Sequence, residues 1–207
     1  MAIIRFRHTL YTPEDDVRSV YDALPLTAKR SLDCEMFGLT DLRFVANVVT
    51  AANNGVKARV FNDRRQASGP ADKHALQILV DAGAINGNIE VRVGSSVHGN
   101  LDHLKNTIID GADGAMADTS ALATGSYNLS SGSQLQDNIF IYTNDPGEVQ
   151  QALDKFERDW RDNEQRPEWQ ITPTHPPVTP PSPTDSPDAE ATVLQAAVPQ
   201  VAEGASA

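Results

Sequence analysis

His103, Lys105 and Asp110 fall in the pattern H-x-K-x-x-x-x-D, and Gly125, Ser126 and Asn128 follow as G-S-x-N. These residue types suit displacement at phosphorus. A neutral imidazole can attack and form a covalent intermediate, which splits one hard step into two easier ones. Lys105 lies two residues from His103, and along an extended segment that spacing puts both side chains on one side. Its ammonium can hold a non-bridging oxygen. Ser126 and Asn128 share the same spacing, so a hydroxyl and an amide can meet a phosphoryl group together. Preorganised donors of this kind are usually the largest electrostatic contribution to catalysis. Asp110 stands at odd spacing, seven residues past His103, and reads as structural. Taken singly, the histidine is equally a packed residue and G-S-x-N equally a turn. Their joint occurrence in one stretch carries the chemical reading.

The chain around that stretch alternates between two periodicities. Ile3 to Phe6 is a short strand candidate, and Thr12 and Pro13 resemble an N-cap and first helical position ahead of Glu14, Asp15 and Asp16. That helix is expected to end at Leu24, before Pro25. Leu32, Cys34 and Met36 alternate with Asp33, Glu35 and Phe37 as a strand. Thr40 then caps a helix with Leu42, Val45, Ala46 and Val49 on one face, stopped by Asn54 and Gly55. A strand over 56–61 leads to the loop NDRRQASGP, a helix follows Pro70 and stops at Gly83, and a strand spans 89–93. Beyond the motifs, 138–142 is strand-like, and Pro146 opens a helix with Val149, Leu153, Phe156 and Trp160 in one stripe. Strands separated by helices predict an α/β fold, a mixed sheet with helices on both faces.

Composition sets limits. Hydrophobic content of 40% supports a real core, no run is long enough for a membrane span, and the N-terminus lacks a signal-type apolar stretch, so a cytoplasmic address is the default. One cysteine, Cys34, rules out an internal disulfide framework and offers no zinc cluster. Nine of thirteen prolines lie in 167–207, which divides the chain into a domain over 1–165 and a Pro/Ala-rich tail over 166–207, expected to be disordered. Net charge is −11, which disfavours indiscriminate nucleic-acid binding and leaves room only for a local basic patch. Arg64 and Arg65 follow a strand's C-terminal end, where open α/β sheets form ligand crevices, and are substrate-binding candidates. An ordinary solvated loop would read the same way.

The two motifs together resemble the phospholipase D superfamily, whose signature is an HKD motif followed by a Gly-Ser-x-Asn turn. The resemblance implies a phospholipase D-like fold, His103 as nucleophile, and Lys105, Ser126 and Asn128 as phosphate-binding groups, with Asp110 and Gly125 as structural members. It implies no metal and no cofactor. The family usually places a glutamate after the turn to orient the histidine, and the matching position is Asp137, one methylene shorter. Fourteen residues separate Asp110 from Gly125, longer than in compact single-motif relatives, which suggests an extended hairpin over 111–119. No second H-x-K occurs. Family enzymes use two such histidines, and single-motif members place two copies across a dimer axis, as an isologous interface naturally does. The implied function is a homodimeric, metal-independent phosphodiesterase acting on nucleic acid, an endonuclease. The alternatives are a lipid phosphodiesterase or phosphatidyl transferase, disfavoured because no membrane anchor is evident, and an inactive phosphate-binding module.

Overall fold

A computed structural model describes residues 5–96, 99–111, 119–130 and 132–174. Seven strands form one sheet: β1 (Arg7–Thr12), β2 (Ser31–Met36), β3 (Lys57–Asp63), β4 (Ile89–Gly94), β5 (Lys105–Ile109), β6 (Ala121–Gly125) and β7 (Asn138–Thr143). Their spatial order is β1-β7-β6-β5-β2-β3-β4. β2, β3 and β4 run parallel, whereas β2–β5, β5–β6, β6–β7 and β7–β1 are antiparallel. The expected mixed sheet is therefore present. Among the described residues five α-helices accompany it: α1 (Val17–Thr27), α2 (Leu42–Asn53), the short α3 (Arg64–Ala67), α4 (Pro70–Asn86) and α5 (Pro146–Asp162).

Alternation sorts the side chains into two cores. Leu32, Cys34, Met36, Ala58 and Val60 pack with Tyr21, Phe44, Val48 and Leu76 from α1, α2 and α4. On the opposite face Phe61, Ile108 and Leu122 meet Val149, Phe156 and Trp160 of α5. Helices thus cover both faces. Because α5 covers the second face, Asp33 and Glu35 are buried rather than solvated, and all six residues of β2 are inaccessible.

Several boundaries differ from the sequence expectation, each for a local reason. The first described strand is 7–12, paired in register from Arg7↔Thr143 to Thr12↔Asn138; of the strand expected over 3–6, residues 5 and 6 are not part of it, and 3 and 4 lie outside the described residues. Thr12 caps no helix. Its hydroxyl accepts the Asn138 N–H at 3.2 Å, and the cap of α1 is Asp16, which accepts from Ser19 N at 3.1 Å. Pro25 lies inside the last turn of α1, where the Thr27 hydroxyl donates to Leu24 O at 2.7 Å and satisfies a terminal carbonyl. Asp41, not Thr40, caps α2, which buries Phe44, Val45 and Val48 and leaves Leu42 exposed. The loop after β3 contains α3.

α4 passes through Gly83 and ends at Gly87, whose φ of 66° gives the left-handed cap. Gly83 is there for closeness: a Cβ would lie 2.3 Å from Ile89 O of β4. Residues 166–174, assigned to the tail, pack on the domain. Gln170 accepts from Val93 N at 2.9 Å and donates to Val93 O at 2.7 Å, closing the free edge of β4, and Thr174 N donates to Asp81. The rest of that segment, and most of the expected hairpin over 111–119, lie outside the described residues.

Helix propensity alone predicts that Gly83→Ala stabilises by about 1 kcal/mol. Overpacking against the β4 backbone reverses the sign here, so a loss of about 1–3 kcal/mol is expected in urea unfolding. A raised urea midpoint would contradict the packing account.

Candidate active site

The topology brings one end of every strand to the same edge. The C-terminal ends of β1, β2, β3, β4 and β6 lie there with the N-terminal ends of β5 and β7. All the sequence-singled residues except Asp110 are placed at or just beyond this edge. Antiparallel pairing of Met36 with Lys105, extended by Phe37 N donating to Leu104 O at 2.9 Å, lays the end of β2 beside the first motif.

His103 and Lys105 meet at one aromatic ring. The exposed imidazole lies 4.5 Å from Phe37, centroid to centroid, and Lys105 Nζ stands 4.7 Å over the same ring. The ammonium also donates to His103 O at 2.7 Å. Lys105 is only 3% exposed. Burial pulls its pKa down to about 8, while Asp102 and Asp63 act in the opposite direction. Its charge is therefore conditional near neutral pH.

Carboxylates brace this lysine. Asp63, at the end of β3, accepts Asp102 N at 2.8 Å through one oxygen and caps α3 through the other, taking Arg65 N at 2.9 Å. Asp102 Oδ1 accepts Leu104 N at 3.3 Å. Glu35 is fully buried on the neighbouring strand, with neither oxygen accepting a hydrogen bond from a donor. Burial and the nearby Asp102 push its pKa well above the usual carboxylate range, so it stays protonated at neutral pH. A neutral Glu35 leaves one fewer negative charge in this corner.

The second motif is stapled on both sides. Gly125 has φ 144°, and a Cβ there would meet Ile139 O at 2.1 Å, so glycine is required. Ser126 N donates to Ile139 O at 2.9 Å, and its hydroxyl accepts Ile139 N at 3.0 Å and donates to Asn138 Oδ1 at 3.1 Å. On the other side Thr40 N and Asp41 N donate to Leu129 O at 2.7 and 2.9 Å. Asn128, between these staples, has a buried Oδ1 without a partner, 3.6 Å from where a Cβ on Gly38 would stand. The Phe37–Gly38 step is thus common to His103, Lys105 and Asn128.

The remaining candidates are dispersed. Ser126 and Asp137 line a cavity of about 670 Å³ with Tyr11, Glu14 and Asp15. Asp137 is exposed and makes no hydrogen bond to His103 among the described residues. Asp110 sits at the far end of β5, fully buried with φ 52°. Burial works to raise its pKa, but hydrogen bonds from Thr119 and from the N–H groups of Arg30, Ser31 and Lys29 outweigh it and hold the carboxylate below its ordinary value. Arg64 lies 4.7 Å over Trp169, and Arg65 is exposed. Among the described residues no group of three His, Cys, Asp or Glu is arranged to hold a metal ion, and no helix is long and apolar enough to cross a membrane.

Sequence reasoning missed Phe37, Gly38, Glu35, Asp63 and Asp102. Asp102 had a signal, its adjacency to His103. Phe37 and Gly38 had only their place at a strand end, and Glu35 looked like the solvated half of an alternating strand.

The conditional charge on Lys105 predicts a pH dependence. A depressed lysine pKa means the cation is present below about 8 and lost as pH rises through it. Sulfate, whose own charge is constant there, is expected to bind progressively more weakly above that point, measured calorimetrically. Lys105→Arg should carry binding to higher pH, because guanidinium stays protonated. A flat profile in the unmodified protein would contradict this account.

Comparison with known proteins follows the same lines. No curated protein matches the chain in sequence. Among solved structures, a phospholipase D family member, Nuc from Salmonella typhimurium, superposes with a TM-score of 0.66 at 20% identity, covering 79% of this chain and 99% of that one. NucT from Helicobacter pylori gives 0.65 at 16% identity over 79% and 100%. Phosphatidylserine synthase from Haemophilus influenzae Rd KW20 gives 0.59 at 14% identity, over 80% of this chain and 41% of that one. These likenesses establish the fold. The family model described as cardiolipin synthase, PLD-like domain, matches residues 26–160, and the chain belongs to this phospholipase D-like family.

Proposed function

We propose that the protein is a metal-independent phosphodiesterase that cleaves nucleic-acid phosphodiesters internally, through a covalent phosphohistidine on His103. The observation that carries this reading is the meeting of an exposed imidazole and a nearly dry ammonium on the Phe37 ring, with Asn128 on the adjoining Gly38. Lys105 and Asn128 hold the non-bridging oxygens, and the Ser126 hydroxyl, which donates to Asn138 Oδ1 in the free protein, turns to the phosphoryl group when substrate binds. The His103 imidazole attacks phosphorus, a phosphorus–nitrogen bond forms, and the phosphorus–oxygen bond to the leaving alkoxide breaks. A second imidazolium gives that alkoxide its proton. Water then attacks the phosphohistidine while the second imidazole takes a proton from it; a phosphorus–oxygen bond forms, the phosphorus–nitrogen bond breaks, and the phosphate monoester leaves with His103 free again.

One chain has one such histidine, so the second comes from another copy in a homodimer. The two steps need one imidazole neutral, to attack, and the other protonated, to release the alcohol. Among the described residues Asp137 makes no hydrogen bond to the imidazole of its own chain, and we assign it to orientation across the assembled site. The likeness to Nuc and NucT, matched over 99% and 100% of their own chains, favours nucleic acid over the lipid chemistry that the name of the phosphatidylserine synthase, matched over 41% of its chain, suggests. A cytoplasmic setting suits such a substrate.

With EDTA present, turnover of single-stranded DNA, duplex DNA or RNA is expected, and none of phospholipid vesicles. His103→Ala should abolish it with the fold intact, and Lys105→Ala or Asn128→Ala should each lose about a hundredfold, the usual scale for one electrostatic donor. Mixing in excess His103→Ala chains should depress activity beyond simple dilution. Dependence on added metal, full activity of folded His103→Ala, or plain dilution would each remove a part of the proposal.

A further inference from the structure

Beside the candidate site a second cavity of about 400 Å³ opens between α3, the start of α4 and residues 168–172, a volume within the range of small-ligand sites. Arg64, Lys73 and Trp169 line it with Ser68, Gln77 and Thr172. The Arg64 guanidinium carbon stands 4.7 Å over the Trp169 ring, and that of Arg166 is 5.1 Å from the same ring. The buried Arg64 Nε has no hydrogen-bond partner, and the guanidinium's contact with Gly99 O is long, at 3.5 Å.

The charge pattern is the informative part. In this acidic chain Arg7, Arg18, Arg59 and Arg92 are each paired with a carboxylate. Among the described residues Arg64, Arg65 and Lys73 have no such pair. A guanidinium that is stacked, half-buried and unpaired has donors available for an anion. Its position also fits. The preceding residue, Asp63, holds Asp102 next to His103, so the cavity opens from the same sheet edge.

Resting on the phosphodiesterase reading above, we propose that this groove is a subsite for the nucleic-acid strand flanking the cleaved bond. Arg64 and Lys73 hold phosphates, and the guanidinium stacked on Trp169 carries a base on its open face. Bases stack on arginine planes as well as on aromatic rings, and Ala67 and Ile171 give the groove an apolar side beside the cations, with Glu168 the one acidic group among the described residues of its lining. Arg65, exposed on the same short helix, adds a cation at the rim.

The test compares a dinucleotide with a long single-stranded oligonucleotide, using the full chain, Arg64→Ala/Lys73→Ala and the surface change Lys73→Glu, with circular dichroism confirming the fold. In both variants the ratio of kcat/KM for the long substrate to that for the dinucleotide should fall, about tenfold or more in the double variant. In the double variant the slope of log affinity against log salt for the oligonucleotide should become shallower by about 1.4, at about 0.7 per lost single-strand contact. A purely structural Arg64–Trp169 stack would lower thermal stability and leave both readouts unmoved, which would overturn the proposal. So would a selective loss on phosphatidylglycerol vesicles. Should the unmodified protein turn over no diester, the phosphodiesterase reading fails by itself, and the salt slope still decides whether the groove binds a strand.

Discussion

Keeping a lysine ammonium nearly out of water at the edge of a sheet is the constraint on which the rest depends. Lys105 is buried against Phe37, and desolvation works against its charge. The fold answers with Asp102 and Asp63, two carboxylates whose positions are locked by backbone hydrogen bonds rather than by flexible side-chain pairing. Glu35 completes the arrangement by staying protonated. Three charged carboxylates in one dry corner would repel one another, and a neutral Glu35 removes one of them. A lysine held in this balance is weakly neutralised and has donors available for an incoming anion.

That corner exists because of how the strands are ordered. Had β5 joined β2 in parallel, Lys105 and the end of β2 would lie at opposite ends of the sheet. Antiparallel pairing places Lys105 against Met36 and the Phe37–Gly38 step, and the β6–β7 pairing anchors the second motif at the same edge. Asp110 serves this from a distance. At the opposite end of β5 it gathers the N–H groups of Lys29, Arg30 and Ser31, tying the start of β2 to the end of β5 and so holding their register.

Much of this was legible in the sequence, for physical reasons. The mixed sheet with helices on both faces follows from alternating periodicities, and α5 was visible because Val149, Phe156 and Trp160 recur at helical spacing behind Pro146. The motif residues stood out because few other arrangements put histidine, lysine, serine and asparagine at period-two spacing. What stayed hidden depends on tertiary contacts. Glu35 reads as solvent-facing until α5 covers its face, Gly83 reads as a helix stop until β4 is known to pass beneath it, and Thr12 reads as a cap until its hydroxyl is claimed by β7. The 166–174 segment looked like tail because its composition is proline-rich, and composition does not reveal that Gln170 pairs with a free strand edge.

The covalent step proposed for His103 can be tested directly. Rapid quenching of the enzyme with a labelled oligonucleotide, followed by peptide mass spectrometry at alkaline pH where phosphohistidine survives, would locate any adduct. The account predicts a phosphoryl-nucleotide on the peptide that contains His103, formed in EDTA and absent from His103→Ala. Turnover with no adduct, or with the adduct on another residue, would contradict it.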